Sequence, residues 1–199
     1  MRNIAVVLVM ILLTSCSSIL KLDSDIQAED GHKIVSIPEV KTKIIYPGDY
    51  DFHDFDAGLF PIVHPDFLKD LKKLNGKKTG KILYAGHTFI RPIFSSTAFL
   101  YNEKYNTKSF AEQLQKELRI DYGATNSEIS SFGTKAGEFY QLTYYLENPA
   151  LKIKTQHVEY IGILNEQTIR ILFWTTDSNE QTVFRESEAI MKRLSMQWY

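Results

Sequence analysis

The chain contains a single cysteine among its 199 residues, so it can close no disulfide within itself and can build no cysteine-rich zinc site. Stability has to come from packing. It also has no marked excess of charge: 23 lysines and arginines face 24 aspartates and glutamates, which gives no basic footprint for nucleic acid. Internal repeats, coiled-coil heptads and apolar runs long enough to cross a bilayer are all missing beyond residue 13. Nor is there an H-E-x-x-H zinc motif or a G-x-S-x-G elbow around any serine, Ser95 and Ser96 included. Gly76, Gly80 and Lys81 fail as a phosphate loop, since three residues rather than four separate the glycines and Ile82 stands where Ser or Thr is required. What the chain does have is aromatic content, 13% of its residues, which favours strands and a packed core over disorder.

The amino-terminal end carries the most specific signal. Met1, Arg2 and Asn3 make a short positive start, and residues 4–13 are continuously apolar yet too few to span about 30 Å as a helix. A buried core helix would need polar residues on one face, and this run has none. Directly after it stand Leu13, Thr14, Ser15 and Cys16. This order resembles the bacterial lipobox, in which a branched apolar residue and two small residues precede a cysteine that is acylated and then becomes the new amino terminus. The resemblance implies removal of residues 1–15 as a signal peptide and lipidation of Cys16, the anchor that would join the protein to a membrane. Ser17 in the next position implies sorting to the outer membrane, on its periplasmic or surface face. Residues 16–38 are polar and mixed in charge and read as the lipidated cysteine and a tether, leaving residues 39–199 as a single globular domain.

Within that domain the pattern predicts an α+β fold, an antiparallel sheet flanked by helices. Ser109 and Glu112 form an S-x-x-E capping box, Phe110, Leu114 and Leu118 repeat at helical spacing, and Gly123 stops the run, which predicts a helix over 109–121. Leu142, Tyr144 and Leu146 alternate as one face of a strand. Residues 151–164 and 167–175 are two apolar runs joined at Asn165 and Glu166, the length of a tight hairpin. Three antiparallel strands are expected here. Val183, Phe184, Ile190, Met191 and Leu194 then mark a helix beginning near Asp177 or Ser178. In the amino-terminal half, residues 65–74 read as a helix and 82–85 and 93–101 as strands. The order helix, antiparallel strands, final helix over roughly residues 93–194 is similar to that of PsbP-like proteins. That resemblance implies a binding or assembly module at a membrane, and it carries no site residues with it.

Candidate chemistry concentrates in residues 49–66, where Asp49, Asp51, His53, Asp54, Asp56, His64 and Asp66 cluster. Carboxylates and imidazoles can hold a divalent metal, and His53, Asp54, Asp56 and His64 are the candidate ligands. The spacing is not that of an EF-hand loop, because Asp54 occupies the position of its turning glycine. Interleaved Tyr50, Phe52 and Phe55 point instead to a half-buried strand or loop with a solvated acidic side. Tyr140, Tyr144, Tyr145, Tyr160, Trp174, Trp198 and Tyr199 could form a contact platform, although the strand tyrosines fit a core as well. The expectation is therefore an envelope lipoprotein without a cofactor, a non-catalytic module binding another envelope protein or a glycan. The alternative is a metal-dependent envelope hydrolase built on the acid and histidine cluster.

Overall fold

The computed structural model describes residues 25–53, 63–74, 80–88, 94–176 and 180–196. A seven-stranded antiparallel sheet forms the middle layer. It consists of β4 (Asp51–His53), β5 (Gly80–Thr88), β6 (Phe94–Tyr101), β7 (Thr125–Thr134), β8 (Gly137–Glu147), β9 (Lys154–Leu164) and β10 (Gln167–Thr175), in the order β4-β5-β6-β10-β9-β8-β7. Helices α1 (Pro65–Leu74) and α2 (Thr107–Asp121) cover one face. The other face carries helix α3 (Glu180–Met191) and a smaller sheet of β1 (Asp25–Glu29), β2 (His32–Ile37), β3 (Thr42–Pro47) and β11 (Ser195–Met196), in the order β1-β2-β3-β11.

Two cores follow from the two-residue period of the central strands. Along β10, Ile169, Ile171 and Phe173 point to the small sheet, while Arg170, Leu172 and Trp174 point to α1 and α2. Both sets are buried, which is why burial is almost unbroken along β9 and β10 and encloses polar as well as apolar side chains. The β9–β10 turn is as tight as expected: Leu164 pairs with Gln167, and both Asn165 and Glu166 have positive φ, the geometry of a type I′ hairpin.

The expected helices are present, with one boundary revised. Asn106, not Ser109, caps α2; its side-chain oxygen accepts the Ser109 backbone N–H at 3.0 Å. Gly123, at φ +67, lets the chain leave that helix. Residues 65–74 form α1 as anticipated.

The larger correction concerns the expected tether over 16–38. Residues 25–37 form the β1–β2 hairpin, with Val35 and Ile37 fully buried against the large sheet. Asp30 and Gly31 both take positive φ at its turn, so this D-G pair is a hairpin signal set among charged residues that make the segment look like a linker. The folded part thus includes residue 25 onward rather than beginning at residue 39. Among the described residues no helix is long and apolar enough to cross a membrane.

Candidate functional site

Strand register assembles a polar centre on the helix-facing side of the large sheet. Tyr144 in β8 lies opposite His157 in β9, and Arg170 in β10 lies opposite Phe99 in β6. Glu159 is two residues along from His157 and so shares its face. The rings of Tyr144 and His157 stack at 4.8 Å, and the Arg170 guanidinium sits 5.2 Å from the centre of the Phe99 ring. Glu159 receives a forked pair of hydrogen bonds from Arg170, one from Nε and one from Nη2 at 2.9 Å, and Tyr144 donates its hydroxyl to the same carboxylate.

Burial and pairing set the charges here. Burial alone would weaken the hold of Arg170 on its proton, but the Glu159 carboxylate with its hydrogen bonds, together with Tyr101 and Tyr144, outweighs it and raises the guanidinium pKa above its ordinary value. Burial, reinforced by Glu159, pushes the Tyr144 phenol well up, so it remains a donor. His157 moves the other way: burial, followed by the positive charge of Arg170, lowers it from 6.5 to about 3. It is neutral at pH 7, with Nε2 sharing a hydrogen bond of 2.8 Å with Thr155 Oγ1.

From this centre a ladder of rings runs up beside α1. Phe67 of α1 meets His157 edge-on at 5.4 Å and Tyr122 at 5.5 Å, and Tyr122 meets His64 at 5.6 Å. Tyr122 donates its hydroxyl to Asp70 at 2.7 Å, and burial together with that bond raises its pKa. Beside the ladder, α1 and α2 part over the sheet to leave a cleft of about 350 Å³. Arg170 and Tyr101 reach its floor, Phe67 and Phe110 form its walls, and Asp70 and Glu117 contribute one carboxylate from each helix. These are features of a small-molecule site, an aromatic lining with a few convergent polar groups.

The residues singled out in the sequence lie elsewhere or apart. Cys16, Trp198 and Tyr199 lie outside the described residues, as do Asp54, Asp56 and the side chain of His53, whose backbone ends β4. Asp49 accepts from Thr88 at 3.1 Å and Asp51 pairs with Lys33 at 3.2 Å, both toward the small sheet. His64 is on the opposite, helical side, buried at the start of α1, and Asp66 is exposed in that helix's first turn. The described members of the cluster therefore do not converge, and no group of three or more such side chains among the described residues is placed to hold a metal. Lys81 pairs with Glu39 instead of cradling a phosphate. Ser96 shares a buried hydroxyl network with Tyr46 and Tyr84, and Ser95 bonds to the Gly86 carbonyl. Tyr144, Tyr160 and Trp174 are core residues, and Tyr140 and Tyr145 are half-buried.

Glu159 and Arg170 stood out least in the sequence, because each is a single charge with no charged neighbour beside it in its strand. The hairpin offered the clue: a turn at Asn165–Glu166 places residue 161 opposite 170, so a charge at 159 must share its face with Arg170.

No protein-family model and no curated protein matches the sequence. Among solved structures the chain is similar to the solution structure of cyanobacterial PsbP, CyanoP, from Synechocystis sp. PCC 6803, with a TM-score of 0.54 over 85% of this chain and 94% of that one. The fold is PsbP-like. Identity over the match is 9%, so the PsbP-like likeness describes the path of the backbone and not the side chains of any site. A looser superposition, TM-score 0.48 and 8% identity over 78% of this chain and 82% of the other, relates it to LpqN, a protein involved in cell envelope biogenesis of Mycobacterium tuberculosis.

Proposed function

We propose that this chain is a lipid-anchored protein of the bacterial cell envelope, attached at Cys16 to the outer membrane, whose PsbP-like domain is a binding module with the cleft between α1 and α2 as its binding surface. The anchor is supported by a positive start, an apolar run and a lipobox-like tetrapeptide in immediate succession, with the sole cysteine at its end. Two or more acyl chains at one cysteine hold a protein stably on a bilayer. The distance from Cys16 to the first strand at Asp25 is about nine residues, at most about 30 Å of chain, which would keep the domain close to the membrane surface.

The observation that carries the binding reading is the state of the polar centre beneath the cleft. Glu159 is held by Arg170 and Tyr144, and His157 is neutral and buried against Tyr144, so these groups stiffen the floor of the cleft and are not poised to exchange protons. A rigid floor under an aromatic cleft suits recognition of another envelope component, a protein or a glycan-bearing or small molecule.

Mass spectrometry of the protein isolated from bacterial membranes tests the anchor. The expected amino terminus is an acylated Cys16 with residues 1–15 gone, and Cys16→Ser should leave the leader attached. An unacylated Cys16 still joined to its leader would overturn the anchored reading.

A further inference from the structure

The floor of the cleft between α1 and α2 holds a donor with no protein acceptor, and that decides which end of a ligand enters first. Arg170 is 3% exposed and has five N–H donors, of which Nε and one on Nη2 go to Glu159. Tyr144 closes the same side of the guanidinium, since its hydroxyl reaches the carboxylate oxygen that Nη2 also reaches. Nη1 is left over. It has no partner among the described residues and is not sealed from solvent, and the opening that Arg170 lines is the cleft. The same lining holds Tyr101, 7% exposed, whose hydroxyl also has no partner among the described residues.

A ligand that filled the cleft without an acceptor would strand Nη1 away from water, which is unfavourable. A group that itself donates would set donor against donor there. A carbonyl oxygen answers both Nη1 and the Tyr101 hydroxyl, because it has two lone pairs and no hydrogen of its own to satisfy. The walls ask for something different: Phe67, Phe110, Leu114 and Leu118 offer apolar and aromatic surface, which suits a ring. The volume, about 350 Å³, sits at the small end of the roughly 300–1,000 Å³ usual for ligand cavities.

We propose that the cleft takes a small ring compound led by a carbonyl oxygen, an aromatic amide, ester or ketone. The oxygen accepts from Arg170 Nη1 and Tyr101, and the ring lies along Phe67 and Phe110. This assignment rests on the reading of the cleft as a binding surface and adds the chemistry of what enters it. Hydrogen bonding at the floor sets the choice, whatever charges stand at the mouth.

Fluorine NMR titration of the purified full chain in detergent, blanked against protein-free micelles, tests it with 4-fluorobenzamide and 4-fluorothiobenzamide. The two share their ring and their N–H groups, but sulfur is the weaker acceptor. The benzamide should bind roughly five- to tenfold more tightly, about the worth of one hydrogen bond to a charged group. Leu114→Trp, which fills the cleft from a half-buried position on α2, should abolish binding of both. The double variant Glu159→Gln with Arg170→Met removes Nη1 without stranding a carboxylate, and it should lose most of the preference. Neither probe binding, equal binding of the two, binding that survives Leu114→Trp, or a preference undiminished in the double variant would each overturn the carbonyl assignment. Equal binding that Leu114→Trp abolishes would leave the cleft a binding surface with a different ligand. The anchored reading is decided separately, by the chemistry found at Cys16.

Discussion

Removing the Arg170 side-chain charge is the most informative perturbation of the polar centre. The Glu159 side chain is 0% exposed and that of Arg170 4%, and Arg170 supplies two of the three hydrogen bonds that reach the Glu159 carboxylate. Arg170→Met keeps most of the volume but leaves a buried carboxylate with only the Tyr144 hydroxyl. Breaking a buried pair from one side costs about 3–5 kcal/mol. In a domain of this size that corresponds to a fall in Tm of roughly 6–20 °C, at about 2–4 °C per kcal/mol. Urea or thermal unfolding followed by near-ultraviolet circular dichroism would measure it.

The pH dependence supplies a second, independent readout. Proton uptake would neutralise the carboxylate stranded by the loss of Arg170, so the variant's folded state recovers stability as pH falls. The penalty of Arg170→Met should therefore be smaller at pH 5 than at pH 7.5. The double variant E159Q/R170M, which removes both charges and keeps an acceptor for Tyr144, should regain at least half of the loss. A single variant costing less than about 1 kcal/mol, or a double variant no better than the single, would refute the claim that an uncompensated buried charge sets the magnitude.

His157→Gln tests the depressed histidine. With a folded pKa of about 3 against 6.5 unfolded, the unfolded chain takes up the proton first, so the stability His157 contributes is present above pH 6.5 and lost as pH falls toward 3. The variant should flatten that limb of the stability curve by up to about 1.4 kcal/mol per pH unit, and an unchanged slope would contradict the assignment. Gly162→Ala should destabilise by about 1–3 kcal/mol in denaturant titration, because a Cβ there would stand 2.5 Å from the Phe139 ring packed across the strand pair. Asn106→Ala, removing the cap that accepts the Ser109 N–H, should cost about 1 kcal/mol by the same method.

Legibility in the sequence tracked how local the determining interaction was. The body of helix α2 and the β9–β10 hairpin could be read because the four-residue spacing of Phe110, Leu114 and Leu118 and a two-residue turn are properties of neighbouring residues. The start of α2 was misplaced by two residues because both Asn106 and Ser109 can cap, and only the backbone angles at Asn106 decide which one does. Strands β1 and β2 look like a tether in the sequence because Asp25, Glu29 and Asp30 crowd them with charge. Val35 and Ile37 show their purpose only once the large sheet lies beneath them. Closeness along the chain works the other way in the acid and histidine cluster: Asp49, Asp51 and His64 are near in sequence, and among the described residues the sheet separates them.

By itself the sequence determined an α+β domain, its helices and its tightest hairpin, all encoded by patterns within a few residues. Only the tertiary structure decided that a second sheet covers the first, and that single charges from two strands meet under a cleft between two helices. Those contacts join residues distant along the chain, and their energies depend on burial, which is a property of the packed layers and has no local signature in the order of residues.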